Sequence, residues 1–181
     1  MNLNQPLFDL IHQFANRSVW LDDIGIFLAQ YLPYLLVLGF LVLAFGRKDW
    51  RMRVLIFSEG ALAVILSRGI VTQAIRFFYH HLRPFAALNF TPLINESGYS
   101  FPSGHAAWFF AISMVVFYYS RKWGIWYFLL SILNGLARIY VGVHWPLDIL
   151  GGIVVGVLCG MLAHRLLKPS LEKLKSRAAL A

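Results

Sequence analysis

Three short groups of polar residues interrupt an otherwise greasy chain: Arg76 with Arg83-Pro84, then Pro102-Ser103-Gly104-His105, then Arg138 with His144 and Asp148. Their types suit the handling of a phosphoryl group. The planar fork of arginine donates paired hydrogen bonds to phosphate oxygens. Arginines converging from separate segments would clamp one phosphoryl group and stabilise its transition-state charge. Pro102 to His105 has the form of a helix start, with proline suited to the first turn. There the Ser103 hydroxyl and the backbone N–H groups of Ser103, Gly104 and His105 can meet an anion, aided by the helix dipole. His144 and Asp148 are four residues apart, so on one helical turn they face each other, and Pro146 between them marks a helix start. A carboxylate on one ring nitrogen fixes the tautomer and leaves the other free to attack phosphorus. His105 then serves as general acid toward the leaving oxygen. This scheme requires no metal or other cofactor, and the sequence offers no carboxylate cluster for magnesium.

These groups must be positioned by a membrane bundle. Charged residues are 13% of the 181 and hydrophobic residues 59%, and the mean hydropathy is +0.65, far above a soluble domain. The length fits one domain: an integral-membrane unit over 1–181, with the polar groups at 76–148 and a basic tail at about 168–181. A span needs roughly 20 apolar residues to cross ~30 Å of hydrocarbon. Five candidates satisfy or approach this: 24–45, 54–75, 105–120, 125–141 and 147–167. The third is short, so its start is expected below the membrane surface or in a thinned bilayer. A sixth span is the alternative count. Leu7, Leu10, Ile11 and Phe14 recur at helical spacing in a segment too short to cross, and predict a helix lying in the interface. The fold class is therefore all-α: about five transmembrane helices and a short N-terminal interfacial helix.

Net charge is +8, but the basic residues lie in short clusters between apolar runs, which argues against a nucleic-acid partner and for topology signals and lipid headgroups. Arg47, Lys48, Arg51 and Arg53, then Arg121 and Lys122, then Arg165, Lys168, Lys173, Lys175 and Arg177 share one side of an alternating five-span bundle. The positive-inside rule makes that side cytoplasmic. All three chemical groups then fall on the opposite face. Met1 to Pro6 lacks a signal-peptide pattern, so insertion is expected from the spans themselves. The single cysteine, Cys159, excludes an intrachain disulfide. Trp50, Trp123, Trp126 and Trp145 sit near span ends. Gly152, Gly156 and Gly160 form a small-residue stripe, expected to pack helices within the monomer in preference to a dimer seam.

Taken together, the groups resemble the three-part signature of the type 2 phosphatidic acid phosphatase superfamily, K-x6-RP, PSGH and SR-x5-H-x3-D, over the stretch from Arg76 to Asp148. The resemblance implies His144 as a nucleophile forming a phosphohistidine, Asp148 as its partner and His105 as the acid. It implies a phosphate pocket of Arg76, Arg83, Ser103, Gly104 and Arg138. Arg76 stands where the family usually has lysine, and Ala137 where it has serine before the arginine. Size, the Leu7-Phe8-Asp9-Leu10-Ile11-His12 segment and the Arg83-Pro84-Phe85 run are most similar to small bacterial undecaprenyl-diphosphatases. The expected function is metal-independent removal of the terminal phosphate from undecaprenyl diphosphate at the outer face of a bacterial inner membrane. Alternatives are the same chemistry on phosphatidylglycerophosphate, lipid A or phosphatidic acid, and a non-catalytic module binding anionic lipid.

Other polar residues carry plainer readings. Arg68 lies inside the second span without an evident partner, where an unpaired charge costs roughly 2.5–3.5 kcal/mol; a structural ion pair or a water-lined cavity is the expectation. Glu59 and Arg68 would be the working charges of a small transporter subunit, a reading that leaves His105, His144 and Asp148 unexplained. His80 and His81 read as solvated, with headgroup or pyrophosphate contact as the alternative; Asn89, Asn95 and Glu96 read as ordinary residues of a long loop suited to shaping substrate choice, and His12 and His164 as interfacial.

Overall fold

The computed structural model describes residues 4–179, with side chains up to residue 173, so Met1 and the side chains of Lys175 and Arg177 lie outside the described residues. All regular structure within them is helical. The elements are α1 (Asn4–His12), α2 (Val19–Ile26), α3 (Leu32–Phe45), α4 (Trp50–Val64), α5 (Thr72–Phe78), α6 (Pro84–Leu88), α7 (Gly104–Tyr119), α8 (Arg121–Tyr140) and α9 (Pro146–Ala179). A π-helical turn, Phe27–Tyr31, joins α2 to α3, and another, Ile65–Val71, joins α4 to α5. Two long helices result, Val19–Phe45 and Trp50–Phe78, which with Pro146–Lys173 are long and apolar enough to cross a membrane.

The observed helices begin earlier than the apolar runs, taking polar residues into their first turns. Asp49 caps α4 by accepting from the Arg51 N–H at 3.0 Å, as short side chains do at helix starts. Helix α1 ends at His12, before Phe14. It leaves Leu7 and Leu10 exposed but buries Phe8 against Trp145 and Phe90. The short interfacial helix is thus also docked, and Asn4 accepts from the Leu147 N–H at the start of α9.

Helix α7 is the pillar: ten of its sixteen residues are buried, with α3, α4, α8 and α9 around it. Alanines and glycines permit this closeness. A Cβ on Gly156 would lie 2.5 Å from the Ala107 carbonyl oxygen and 2.8 Å from the Phe110 Cβ, and one on Gly152 would lie 2.6 Å from the Ser103 carbonyl oxygen. The glycine stripe of α9 therefore faces α7 within the chain. Leu35, Leu38, Val42, Val154, Leu158 and Leu162 stay exposed, an apolar belt fit for lipid chains.

The two ends of the bundle differ. Arg76, Arg83, Gly104, Arg138 and Asp148 all lie at helix ends or connections on one side. On the other, Arg47 donates to the Tyr119 carbonyl at the end of α7, and buried Glu59 accepts from Tyr119 Oη at 2.6 Å and lies 2.9 Å from His164 Nδ1. His164, expected in the interface, instead serves this carboxylate and stacks on Tyr118. Substituting Gly156→Val should lower stability by about 1–3 kcal/mol through overpacking, read as a lower thermal midpoint in detergent with the oligomeric state unchanged. A dimer-seam glycine would shift the oligomeric state instead.

Candidate active site

Two helix-end devices set the third group. Helix α8 closes with Gly142 at φ +86°, its N–H bonded to the Ile139 carbonyl and the Val143 N–H to the Arg138 carbonyl. This is a Schellman closure, which favours glycine at the left-handed position. It folds His144 back beside the arginine that precedes it by six residues. Helix α9 then starts at Pro146, with the Asp148 carboxylate reaching back to the Trp145 N–H at 2.8 Å, half of a capping box.

The same carboxylate oxygen lies 3.3 Å from His144 Nδ1 and accepts a short hydrogen bond from the Ser100 hydroxyl. His81 Nδ1 is 3.3 Å from the other oxygen. Asp148 and His144 are fully enclosed. With Nδ1 facing a carboxylate, the favoured tautomer carries its proton there, and Nε2 is left toward Arg83 Nη1, 3.4 Å away. Burial pushes His144 down to about 4, helped by Arg138 and Arg83 and opposed by Asp148. The imidazole is therefore neutral at ordinary pH, with a lone pair available.

Arg83 is held on every side. Nη1 donates to the Val143 carbonyl at 2.9 Å, Nε to Gly98 at 3.0 Å and Nη2 to Ser97 at 3.0 Å. Burial lowers its affinity for a proton to a pKa of about 10, which Glu96 opposes, so it stays charged. Arg138 donates from Nη1 to the Ala29 carbonyl at 3.3 Å and from Nη2 to the Glu96 carboxylate. Arg76 donates to the Pro102 carbonyl at 2.9 Å, touching the second group directly. The Nε atoms of Arg76 and Arg138 are buried without partners among the described residues.

The second group opens α7 as expected, but Ser103 is used by the fold. Its Oγ faces the Ala106 N–H at 3.4 Å, and its own N–H donates to the Asp148 carbonyl at 2.9 Å. The amides of Gly104 and His105, in a first turn that has no intrahelical acceptors for them, are the ones left for an anion. A Cβ on Gly104 would sit 3.2 Å from Arg68 Nη1 and 3.8 Å from Arg76 Nη2; both arginines thus crowd this turn. His105 lines a cavity of about 190 Å3 with Glu96, Arg138, Trp108, Gln30 and Tyr34.

All eight motif residues therefore meet at one end of the bundle, and the structure adds others. Glu96, read as an ordinary loop residue, bridges Arg138 and Arg83. Ser100 and His81 complete the shell of Asp148; His80, by contrast, is exposed and stacks on Tyr99. Arg68 has neither an ion pair among the described residues nor a bare apolar setting: its guanidinium lies 5.5 Å from the centroid of Trp108, a cation–π contact. His12 packs on Phe8 and Phe90 and meets the Tyr140 carbonyl at 2.8 Å. Of these, Arg68 gave a sequence signal as a charge within a span, and His81 a weaker one as half of a histidine pair just before Arg83.

The model of the PAP2 superfamily matches residues 59–171, which contain every one of these motif residues. The chain belongs to the PAP2 superfamily. It is 32% identical over 176 residues to undecaprenyl-diphosphatase BcrC of Bacillus subtilis (strain 168), covering 94% of this chain and 89% of that protein. It is 31% identical over 159 residues to the putative undecaprenyl-diphosphatase YbjG of Escherichia coli (strain K12), covering 87% and 79%. Among solved structures, Aquifex aeolicus LpxE superposes with a TM-score of 0.75 at 28% identity, covering 91% of this chain and 96% of that one. This PAP2 protein is thus a multi-pass, membrane-embedded lipid phosphatase.

The buried neutral His144 predicts a pH dependence of stability. The folded state resists protonating it, so its contribution is full above about pH 6.5 and is lost as the pH falls toward 4. Acidification across this window should destabilise the protein by about 1–3 kcal/mol more than it does His144→Asn, measured by chemical denaturation in detergent.

Proposed function

We propose that this PAP2 phosphatase removes the terminal phosphate of an isoprenoid diphosphate, undecaprenyl diphosphate, through a covalent phosphohistidine. The observation that carries the chemistry is the orientation of His144: Nδ1 faces a buried carboxylate and Nε2 faces the guanidinium of Arg83. Attack by Nε2 on the terminal phosphorus forms the N–P bond and breaks the P–O bond to the lipid phosphate. His105 supplies a proton to that leaving oxygen, and Asp148 stabilises the imidazole as it becomes cationic. Arg76, Arg83 and Arg138, with the Gly104 and His105 amides and the Ser103 cap behind them, hold the equatorial oxygens. Water then attacks the phosphohistidine, giving up its proton to His105 and releasing inorganic phosphate. No step requires a metal.

The substrate class is supported by the relatives' identities and by the space around the site. The cavity beside His105 and Arg138 shares Val37 and Trp108 with an apolar groove of about 290 Å3 between α3, α4 and α7. A prenyl chain lying there would leave its diphosphate at the arginines. The basic connections on the opposite end support, through the positive-inside rule, a site on the outer face of a bacterial inner membrane. The motif residues and the groove are read as parts of one domain over 1–181.

Purified protein with EDTA present should release phosphate from undecaprenyl diphosphate faster than from phosphatidylglycerophosphate or phosphatidic acid. His144→Ala should lower the rate at least about 1000-fold, and the wild type alone should trap an acid-labile phosphoenzyme. Preference for a glycerophospholipid would refute the substrate and keep the mechanism. Undiminished release by His144→Ala would refute the mechanism.

A further inference from the structure

The headgroup site already holds an anion that belongs to the protein. Glu96 lies on the connection between α6 and α7, and one of its carboxylate oxygens accepts from Arg138 Nη2 while the other is 3.7 Å from Arg83 Nη2. The carbonyls of the next two residues, Ser97 and Gly98, accept from the same Arg83. The loop therefore orients Arg83 with its backbone and reaches Arg138 with its side chain. The Glu96 side chain is 27% exposed, against 3% and 2% for the two arginines, so it enters from the open, cavity side. Two oxygens spread across two guanidiniums occupy the positions that two phosphoryl oxygens would take.

We propose that Glu96 is an internal counter-anion that occupies the phosphoryl site between turnovers and must be displaced by the substrate headgroup. Two buried guanidiniums without an anion are strongly unfavourable, and Glu96 offsets this in the empty site. Although burial opposes ionisation, Arg138 and then Arg83 hold its carboxyl below the ordinary range, so the competitor stays charged at neutral pH. Any ligand competes against one full negative charge. A diphosphate, with more charge than inorganic phosphate or a monoester, displaces it more readily than either product. Glu96 thus favours the diphosphate and drives product out. This inference rests on the phosphatase reading for its consequence, but not for its measurement.

The test is calorimetric titration of inorganic phosphate into full-length His144→Ala protein and into the Glu96→Gln/His144→Ala double variant, in the same detergent. Loss of the competing charge should tighten phosphate binding at least about tenfold, the worth of one charge-assisted hydrogen bond. In the active background, Glu96→Gln should lower the inhibition constant of phosphate and the KM together, with kcat falling as product release slows. Unchanged or weaker phosphate binding by a folded variant would overturn the proposal. So would a fall in kcat alone, which would make Glu96 part of the chemistry. A second measurement covers a variant that does not fold. The chain has three glutamates, Glu59, Glu96 and Glu172, so 13Cδ-glutamate spectra of the wild type are assignable. The Glu96 resonance should shift saturably with added phosphate, and a resonance that stays fixed while phosphate binds would overturn the proposal. Tighter phosphate binding without hydrolysis of any lipid would refute the proposed function and leave the counter-anion standing.

Discussion

A carboxylate sealed from water must be surrounded by donors, and Asp148 is the group around which the candidate-site end of this bundle is arranged. Removal of its partners would leave a buried charge uncompensated, a penalty of several kcal/mol. Four groups meet that demand: the Trp145 amide, the Ser100 hydroxyl and the rings of His144 and His81. They come from the start of α9, the loop before α7, the end of the α8 connection and the segment before α6. The constraint that makes α9 begin where it does also holds the imidazole edge of His144. Helix initiation and the geometry of the candidate nucleophile therefore rest on the same atoms.

The arginines obey a parallel logic. Each is anchored by backbone carbonyls from a different segment: Val143, Ser97 and Gly98 for Arg83, Ala29 for Arg138, Pro102 for Arg76. Carbonyls orient a guanidinium without neutralising it, so positive charge remains available to an anion. Trp108 does the same for Arg68 through its ring. The result is a pocket whose cations are fixed in direction before a ligand arrives, which is the property that lowers reorganisation during phosphoryl transfer.

The helices and the motif residues were legible because they rest on local rules: apolar run length, a proline at a helix start, residues four apart on one turn. The Schellman closure at Gly142 and the cap by Asp148 are also local, and explain why Arg138, His144 and Asp148 keep their spacing. What escaped the sequence was long-range pairing. Glu96 meets Arg138 across 42 residues, Ser100 meets Asp148 across 48 and His164 meets Glu59 across 105. No periodicity encodes such contacts. The two π-helical turns were equally invisible, since Phe27–Tyr31 and Ile65–Val71 read as uninterrupted apolar helix. The second carries Arg68, and its extra residue per turn changes the face on which that arginine emerges.

The shortness of α7 has a further implication. Sixteen residues rise about 24 Å, whereas the 29-residue helix Trp50–Phe78 rises about 43 Å. The start of α7 lies against Arg68 and Arg76, so the floor of the pocket is sunk below the rim formed by that longer neighbour. For a lipid to reach that floor with its tail still in hydrocarbon, it has to enter sideways between helices. Encounter with such an enzyme takes place in two dimensions, so the mole fraction of substrate in the bilayer, and not its bulk concentration, is the concentration to which its rate responds.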